Sequence, residues 1–139
     1  MESMFSQCYK LKEIKGINNF NTLKLKIMCS MFDRCQELEF LDLSNFNTAN
    51  VTDMEFMFNQ CLKLKQIKGI NNFNTIKVNN MHAMFQACNE LEFLDLSNFN
   101  TSNVTDMGYM FNECHKLKKI IVINKFNTSK VTNMSGMFQ

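Results

Sequence analysis

The chain has 139 residues, with 15 basic and 13 acidic side chains and a formal net charge of +2. This near balance excludes the strongly basic composition expected of proteins that bind nucleic acid or anionic membranes through charge alone. No apolar run approaches the roughly 18 residues of a membrane-spanning helix, and the first residues, MESMFSQCYK, show no signal peptide. The sequence therefore predicts no membrane-spanning segment and no nucleic-acid partner.

A repeated pattern runs along the whole chain. The pair Met-Phe begins at positions 4, 31, 57, 84, 110 and 137, with spacings that alternate between 27 and 26 residues. The octapeptide LDLSNFNT occurs at 41–48 and again at 94–101, 53 residues later. Repeats of this length are typical of proteins built from stacked units. The sequence therefore predicts about five units of 26 or 27 residues, grouped in pairs.

Each unit has two halves with different apolar patterns. The segment VTDMEFMFNQC, residues 51–61, spaces its apolar residues for one face of a short helix. The segment LEFLDL, residues 38–43, follows the L-x-x-L-x-L pattern of a leucine-rich-repeat strand. The longer units carry their extra residue beside Gly16 and Gly69, where a bulge fits. We therefore predict an α/β fold, a leucine-rich-repeat solenoid of about five turns with a parallel sheet on one side and short helices on the other.

The full repeat, M-F-x-x-C-x-x-L-x-x-L-D-L-S-x-F-x-T-x-N-V-T-x-M, closely resembles that of the BspA-like leucine-rich-repeat surface proteins. The resemblance covers essentially the whole chain, although this sequence has Phe-Asn-Thr where Phe-Asp-Thr is more usual. It implies a right-handed solenoid at the cell surface or outside the cell. It also implies a role in adhesion or host interaction.

Three series of charged residues change sign from each unit to the next. They are Lys10, Glu37, Lys63, Glu90 and Lys116; Lys12, Glu39, Lys65, Glu92 and Lys118; and Lys15, Asp42, Lys68 and Asp95, after which Ile121 breaks the third series. On neighbouring strands about 4.8 Å apart, opposite charges attract by about 0.2–1 kcal/mol per pair. We interpret the series as fixing the register of the units, in preference to a basic patch for nucleic acid.

The two ends of the sequence follow the same pattern as its interior. Met1 occupies the same place in its unit as Met28, and residues 137–139 stop before another strand begins. Repeat proteins usually protect their terminal units with atypical caps, which this sequence lacks. We expect residues 1–139 to form a single domain that is a segment of a longer array.

The residues that most often carry chemistry suggest no enzyme, cofactor or metal site. Five periodic cysteines favour a column of buried thiols over disulfides or metal ligands: Cys8, Cys35, Cys61, Cys88 and Cys114. Cys29 lies outside that column and is either a reactive thiol or an ordinary surface substitution. His82 and His115 have no second ligand at metal spacing. An asparagine recurs after each Phe, and we expect its side chain to bind backbone groups at a corner.

Phe40 and Phe93 are the candidate binding residues. They recur every second unit on the exposed face of the predicted strands, with Glu13, Gln66 and Lys119 between and beside them. They either anchor a partner or lie over neighbouring lysine stems such as that of Lys68. We therefore predict a non-enzymatic scaffold for protein–protein interaction or adhesion at a surface, whose partner is another protein or a copy of itself. The alternative is a structural component of a filament, surface layer or virus particle, with its faces and ends covered by neighbouring subunits.

Overall fold

The computed structural model describes all residues from 1 to 139. Its regular elements are short and separated by turns. They are the strands β1 (Phe40–Asp42), β2 (Gln66–Lys68), β3 (Phe93–Asp95) and β4 (Lys119–Ile121), and the 3-10 helices Ile17–Asn19, Ile70–Asn72 and Ile123–Lys125. No helix has the length and apolar character needed to cross a membrane.

The short helix predicted for residues 51–61 is wrong, because this segment is a series of turns. Its alternate N–H groups donate to distant carbonyls: Phe56 donates to His82 at 3.0 Å and Phe58 to Met84 at 2.9 Å. In an α-helix these groups would donate to the carbonyl four residues earlier. Phe56 and Gln60 also have φ values of 53° and 54°, which interrupt right-handed helical geometry.

The prediction of one parallel sheet along one side of the molecule is also wrong. β1 pairs only with β2, and β3 pairs only with β4, so the strands form two separate parallel sheets of two strands each. After β2, Gly69 adopts φ 82° and leads into the 3-10 helix Ile70–Asn72, so the chain leaves the strand after three residues. The predicted fold class, a leucine-rich-repeat solenoid with a parallel sheet on one side and short helices on the other, is therefore incorrect.

Residues 26 or 27 positions apart contact each other through backbone and aromatic groups. Isolated parallel bridges join Ile27 to Asp53, Asp53 to Asn80, Asn80 to Asp106, and Asp106 to Asn133. The ring centroids of Phe32 and Phe58 lie 5.6 Å apart, with planes at 4°. These contacts hold the short elements together although few regular hydrogen bonds join them.

One apolar core of 31 buried residues runs through the molecule. It contains the Met, Phe and Leu positions of the sequence repeat, including Met57, Phe58 and Leu64. The prediction of a column of buried thiols is confirmed for Cys35, Cys61 and Cys88, while Cys8 and Cys114 at its two ends are half-buried. Each thiol after the first donates to a Phe carbonyl oxygen at 3.0–3.2 Å. The thiols are therefore packed as small core groups with a hydrogen-bond partner.

The predicted asparagine corners are confirmed. The side-chain oxygen of Asn74 accepts the N–H of Ile76 at 3.1 Å, and the same bond over two residues forms at Asn21, Asn47, Asn100 and Asn127. Beside it, the buried hydroxyl of Thr48 accepts the Asn74 N–H at 2.8 Å and donates to the Asn74 carbonyl at 3.0 Å. These bonds satisfy backbone groups that would otherwise be buried without a partner.

Candidate functional site

The candidate residues Phe40 and Phe93 lie on the outer side of the two small sheets, which we call the strand face. Phe40 begins β1 and is 42% exposed, and Phe93 begins β3 and is 48% exposed. Their partners in register are Gln66 on β2 and Lys119 on β4. The middle residue of each of these strands points inward, so alternation along three residues is what leaves the phenylalanines outside.

Ion pairs border the strand face. Glu37, Glu39 and Asp42 bind Lys63, Lys65 and Lys68 at 2.7, 2.7 and 2.9 Å, and Glu90 and Glu92 bind Lys116 and Lys118 at 2.7 and 2.8 Å. Each pair joins residues 26 positions apart, as the alternating charges predicted. The expected pairs across 27 positions, such as Lys65 with Glu92, do not form. The pairing therefore fixes register within each two-stranded sheet and not between the sheets.

Three of the paired carboxylates, Glu39, Asp42 and Glu92, have lowered pKa values. The hydrogen bond from Lys65 is the largest cause of the lowered pKa of Glu39. The Ser44 hydroxyl, followed by Lys68, lowers the pKa of Asp42 to about 2. Exposed pairs of this kind contribute little net stability, because solvent screens them. On the border of the strand face, these pairs occupy five lysines and five carboxylates with each other.

Two equivalent clefts open beside the exposed phenylalanines. The first cleft has a volume of about 210 Å³ and lies between residues 13–18 and the side chains of Phe40 and Asp42. The second cleft has a volume of about 240 Å³ and lies between residues 66–71 and residues 93–95. Both form where a left-handed glycine, Gly16 or Gly69, turns the chain away from the next strand. The sequence pointed to the two rings but not to these clefts.

A second group of polar side chains lies on the side of the isolated bridges. Cys29 Sγ and one carboxylate oxygen each from Asp53 and Glu55 lie within 4.8 Å of one another, and all three residues are half-buried. Thiolate and carboxylate groups are ligands for divalent metals such as zinc. Burial is the largest cause of the raised pKa of the Cys29 thiol, and the charges of Asp53 and Glu55 add to it. These are the residues of the chain that offer a metal three converging donors.

His82 is a further polar residue on the side of the isolated bridges, where it contacts Asp106. Its Nδ1 lies 3.1 Å from Asp106 Oδ1, and its ring meets the rings of Phe56 and Tyr109 edge to face. Burial acts to raise the pKa of Asp106, but hydrogen bonds from Asn133, the Gly108 N–H and His82 lower it below its usual value. The sequence did not indicate the contacts of Asp106 with His82 and Asn133, because these partners lie 24 and 27 residues away and form no local motif.

A family model described as "Mycoplasma protein of unknown function, DUF285" matches the chain over residues 1–93 and again over residues 63–139. Comparison with curated proteins and with solved structures gave no match. The family match does not bear on the resemblance to BspA-like surface proteins, which stays a prediction. Since the two matched segments together span the chain, the protein belongs to the DUF285 family.

Proposed function

We propose that the protein is a non-enzymatic binding module whose strand face holds a protein partner at a cell surface. The observation that carries this proposal is the pair of exposed rings at equivalent positions, Phe40 and Phe93. Aromatic side chains are enriched among the residues that dominate binding energy at protein interfaces. The cell-surface location rests on the resemblance to BspA-like proteins.

The surroundings of the two rings support the proposal. Five lysines of this region are bound to carboxylates: Lys63, Lys65, Lys68, Lys116 and Lys118. These pairs border the two rings, while Asp95 and Lys119 beside Phe93 are unpaired; charged groups around exposed rings resemble the polar rim around an apolar interface centre. A cleft adjoins each ring and offers space for a side chain of the partner.

Photo-crosslinking tests the proposal and identifies the partner in the same experiment. We would introduce p-benzoylphenylalanine in place of Phe40 or Phe93, and in place of Leu23 as the control. Leu23 is 55% exposed and lies outside the strand face. The labelled proteins would be irradiated on the cells that produce the protein and on the surfaces to which those cells attach.

We expect both strand-face positions to crosslink to the same protein and Leu23 to give no such product. Equal crosslinking at all three positions, or none at Phe40 and Phe93, would reject the strand face as the binding surface. Crosslinks to another copy of the same chain would support the alternative function, a structural component of a larger assembly. The double variant F40S/F93S should retain its thermal unfolding midpoint and lose the partner.

A further inference from the structure

The two clefts lie at equivalent positions but differ in charge. In the first cleft, Asp42 accepts hydrogen bonds from the Ser44 N–H and hydroxyl and is paired with Lys68 at 2.9 Å. In the second cleft, Asp95 occupies the equivalent position and accepts the Ser97 N–H at 3.0 Å. The residue opposite Asp95 in register is Ile121, where a lysine stands opposite Asp42. Asp95 therefore has no ion-pair partner on the neighbouring strand.

The carboxylate and the aromatic ring of the second cleft lie on the same strand. Phe93 and Asp95 are separated by one residue on β3, so both side chains leave the same side of the sheet. Both line the cleft, together with Gln66 and the backbone at Gly69. An anionic group beside an exposed aromatic ring, next to an open cleft, is complementary to a planar cation.

We propose that the second cleft binds an arginine side chain of the protein partner, an inference that rests on the proposed function of the strand face. A guanidinium group stacks on an aromatic ring and presents two parallel N–H donors to a carboxylate. In this site it stacks on Phe93 and donates to Asp95. The first cleft provides the corresponding ring, Phe40, but both of its carboxylates are paired, Asp42 with Lys68 at 2.9 Å and Glu13 with Lys15 at 3.2 Å.

One lysine, Lys68, lines the second cleft, and a second, Lys119, lies beside Phe93 on the neighbouring strand. The Lys68 ammonium is held by Asp42 and so is occupied. Lys119 stands opposite Phe93 in register and forms no ion pair, so its charge opposes a bound guanidinium. Removing that charge in K119Q should therefore strengthen binding of an arginine peptide.

The test uses the peptide acetyl-Gly-Gly-Arg-Gly-Gly-amide and the same peptide with citrulline, which keeps the shape of arginine and lacks its charge. Amide chemical shifts of the 15N-labelled protein report each cleft separately. Gly69, Phe93 and Asp95 report the second cleft, while Gly16, Phe40 and Asp42 report the first. We expect the arginine peptide to shift the second set and the citrulline peptide to shift neither.

Two variants test the unpaired negative charge of Asp95: one removes the charge and the other pairs it. D95N is nearly isosteric, and I121K supplies the lysine that Asp42 already has at the equivalent position. Each should weaken arginine-peptide binding by roughly tenfold, since a contact to a charged group is lost. E113Q is the matched control, because Glu113 is exposed, lies outside both clefts and forms no ion pair. It should leave binding unchanged.

Equal shifts in both clefts, equal binding of the two peptides, no shift, or unchanged binding in D95N would each overturn the inference. These outcomes are distinct from failure of the proposed function. If Phe93 still crosslinks to a protein while the arginine peptide does not bind, the strand face remains the binding surface and only the arginine contact is rejected. If neither Phe40 nor Phe93 crosslinks, the proposed function itself fails.

Discussion

Lys68 Nζ lies 2.9 Å from Asp42 Oδ2 and joins the last residues of β1 and β2. The Ser44 hydroxyl binds the other oxygen of this carboxylate at 2.5 Å. With Ser44 as the largest cause, the pKa of Asp42 falls to about 2, well below the roughly 3.9 of an unfolded chain. A carboxylate with a lowered pKa stabilises the folded state above its unfolded pKa, and this stability is lost as the pH falls toward the folded pKa.

We therefore expect Asp42 to contribute to acid unfolding between about pH 4 and pH 2. The wild-type protein should lose more stability across this window than D42N, whose side chain cannot be protonated. Thermal unfolding midpoints measured by circular dichroism from pH 2 to 6 would compare the two proteins. E113Q, which removes a carboxylate without an ion pair, should follow the wild type. Parallel curves for D42N and the wild type would contradict the role of Asp42.

Gly69 is required for a steric reason that does not apply to Gly16. Both residues have positive φ, 82° and 74°, so alanine at either position costs about 1 kcal/mol in backbone strain. A Cβ at Gly69 would also lie 2.6 Å from Ser44 N and 2.9 Å from the Leu43 carbonyl carbon, whereas at Gly16 the nearest atom is 3.5 Å away. Val122 adopts φ 64° at the equivalent position, so positive φ alone is tolerated there.

We expect G69A to lower the free energy of unfolding by about 1–3 kcal/mol more than G16A, because the added methyl group overlaps backbone atoms. Urea unfolding of the two variants, followed by circular dichroism, measures the difference. Equal losses would mean that the chain near Ser44 moves away at little cost.

The sequence predicted the core and the paired charges better than the secondary structure. The repeated apolar residues, such as Met57 and Phe58, are buried, and lysines pair with acids 26 residues away. Both features depend on the type of side chain at each position of the repeat, which the sequence gives directly. Helical spacing in residues 51–61 did not produce a helix, since spacing places side chains but does not fix the partners of the N–H groups. At Phe56 that partner is the distant His82 carbonyl.

The clefts and the Cys29 group were beyond sequence reasoning for a different reason. The sequence shows that Ile121 interrupts the third series of alternating charges. That this interruption leaves Asp95 unpaired depends on the strand register, which places Ile121 opposite Asp95. Cys29 and Asp53 lie in different units of the repeat, and no local motif connects them. The bridge between residues 27 and 53 and the hydrogen bond from the Ser30 N–H to the Glu55 carbonyl bring their segments together.

The stacked rings at the centre of the core predict a large cost for truncation. Phe58 is fully buried and its ring lies 5.6 Å from that of Phe32 and 5.4 Å from that of Phe85. F58A should lower the free energy of unfolding by about 3–5 kcal/mol, through lost burial and the cavity left behind. F93A makes the same chemical change on the strand face and should stay within about 0.5 kcal/mol of wild type. Similar losses in urea unfolding would contradict the assignment of Phe93 to the surface.

The alkylation rate of Cys29 tests how the neighbouring carboxylates of Asp53 and Glu55 act on its thiol. Iodoacetamide reacts with the thiolate, and burial followed by the charges of Asp53 and Glu55 raises the pKa of this thiol. Alkylation should therefore be slow at about pH 7–8 and should still be accelerating at a pH where an exposed cysteine has reached its maximum rate. The E55Q variant removes one of the repelling charges, lowers the thiol pKa and increases the rate at about pH 8. Peptide mass spectrometry over a time course gives the rate at each cysteine.

The core thiols serve as internal controls in the same experiment. Cys61 and Cys88 are fully buried, and burial raises the pKa of each well above that of a free thiol, so neither should react until the protein unfolds. E113Q changes the same total charge as E55Q without lying beside Cys29 and should leave its rate unchanged. A Cys29 rate that reaches its plateau at the pH of a free thiol, or that E55Q leaves unaltered, would show that the two carboxylates do not act on the sulfur. A rate that falls when zinc is added would show that the metal and the alkylating agent compete for Cys29, because thiolates are zinc ligands.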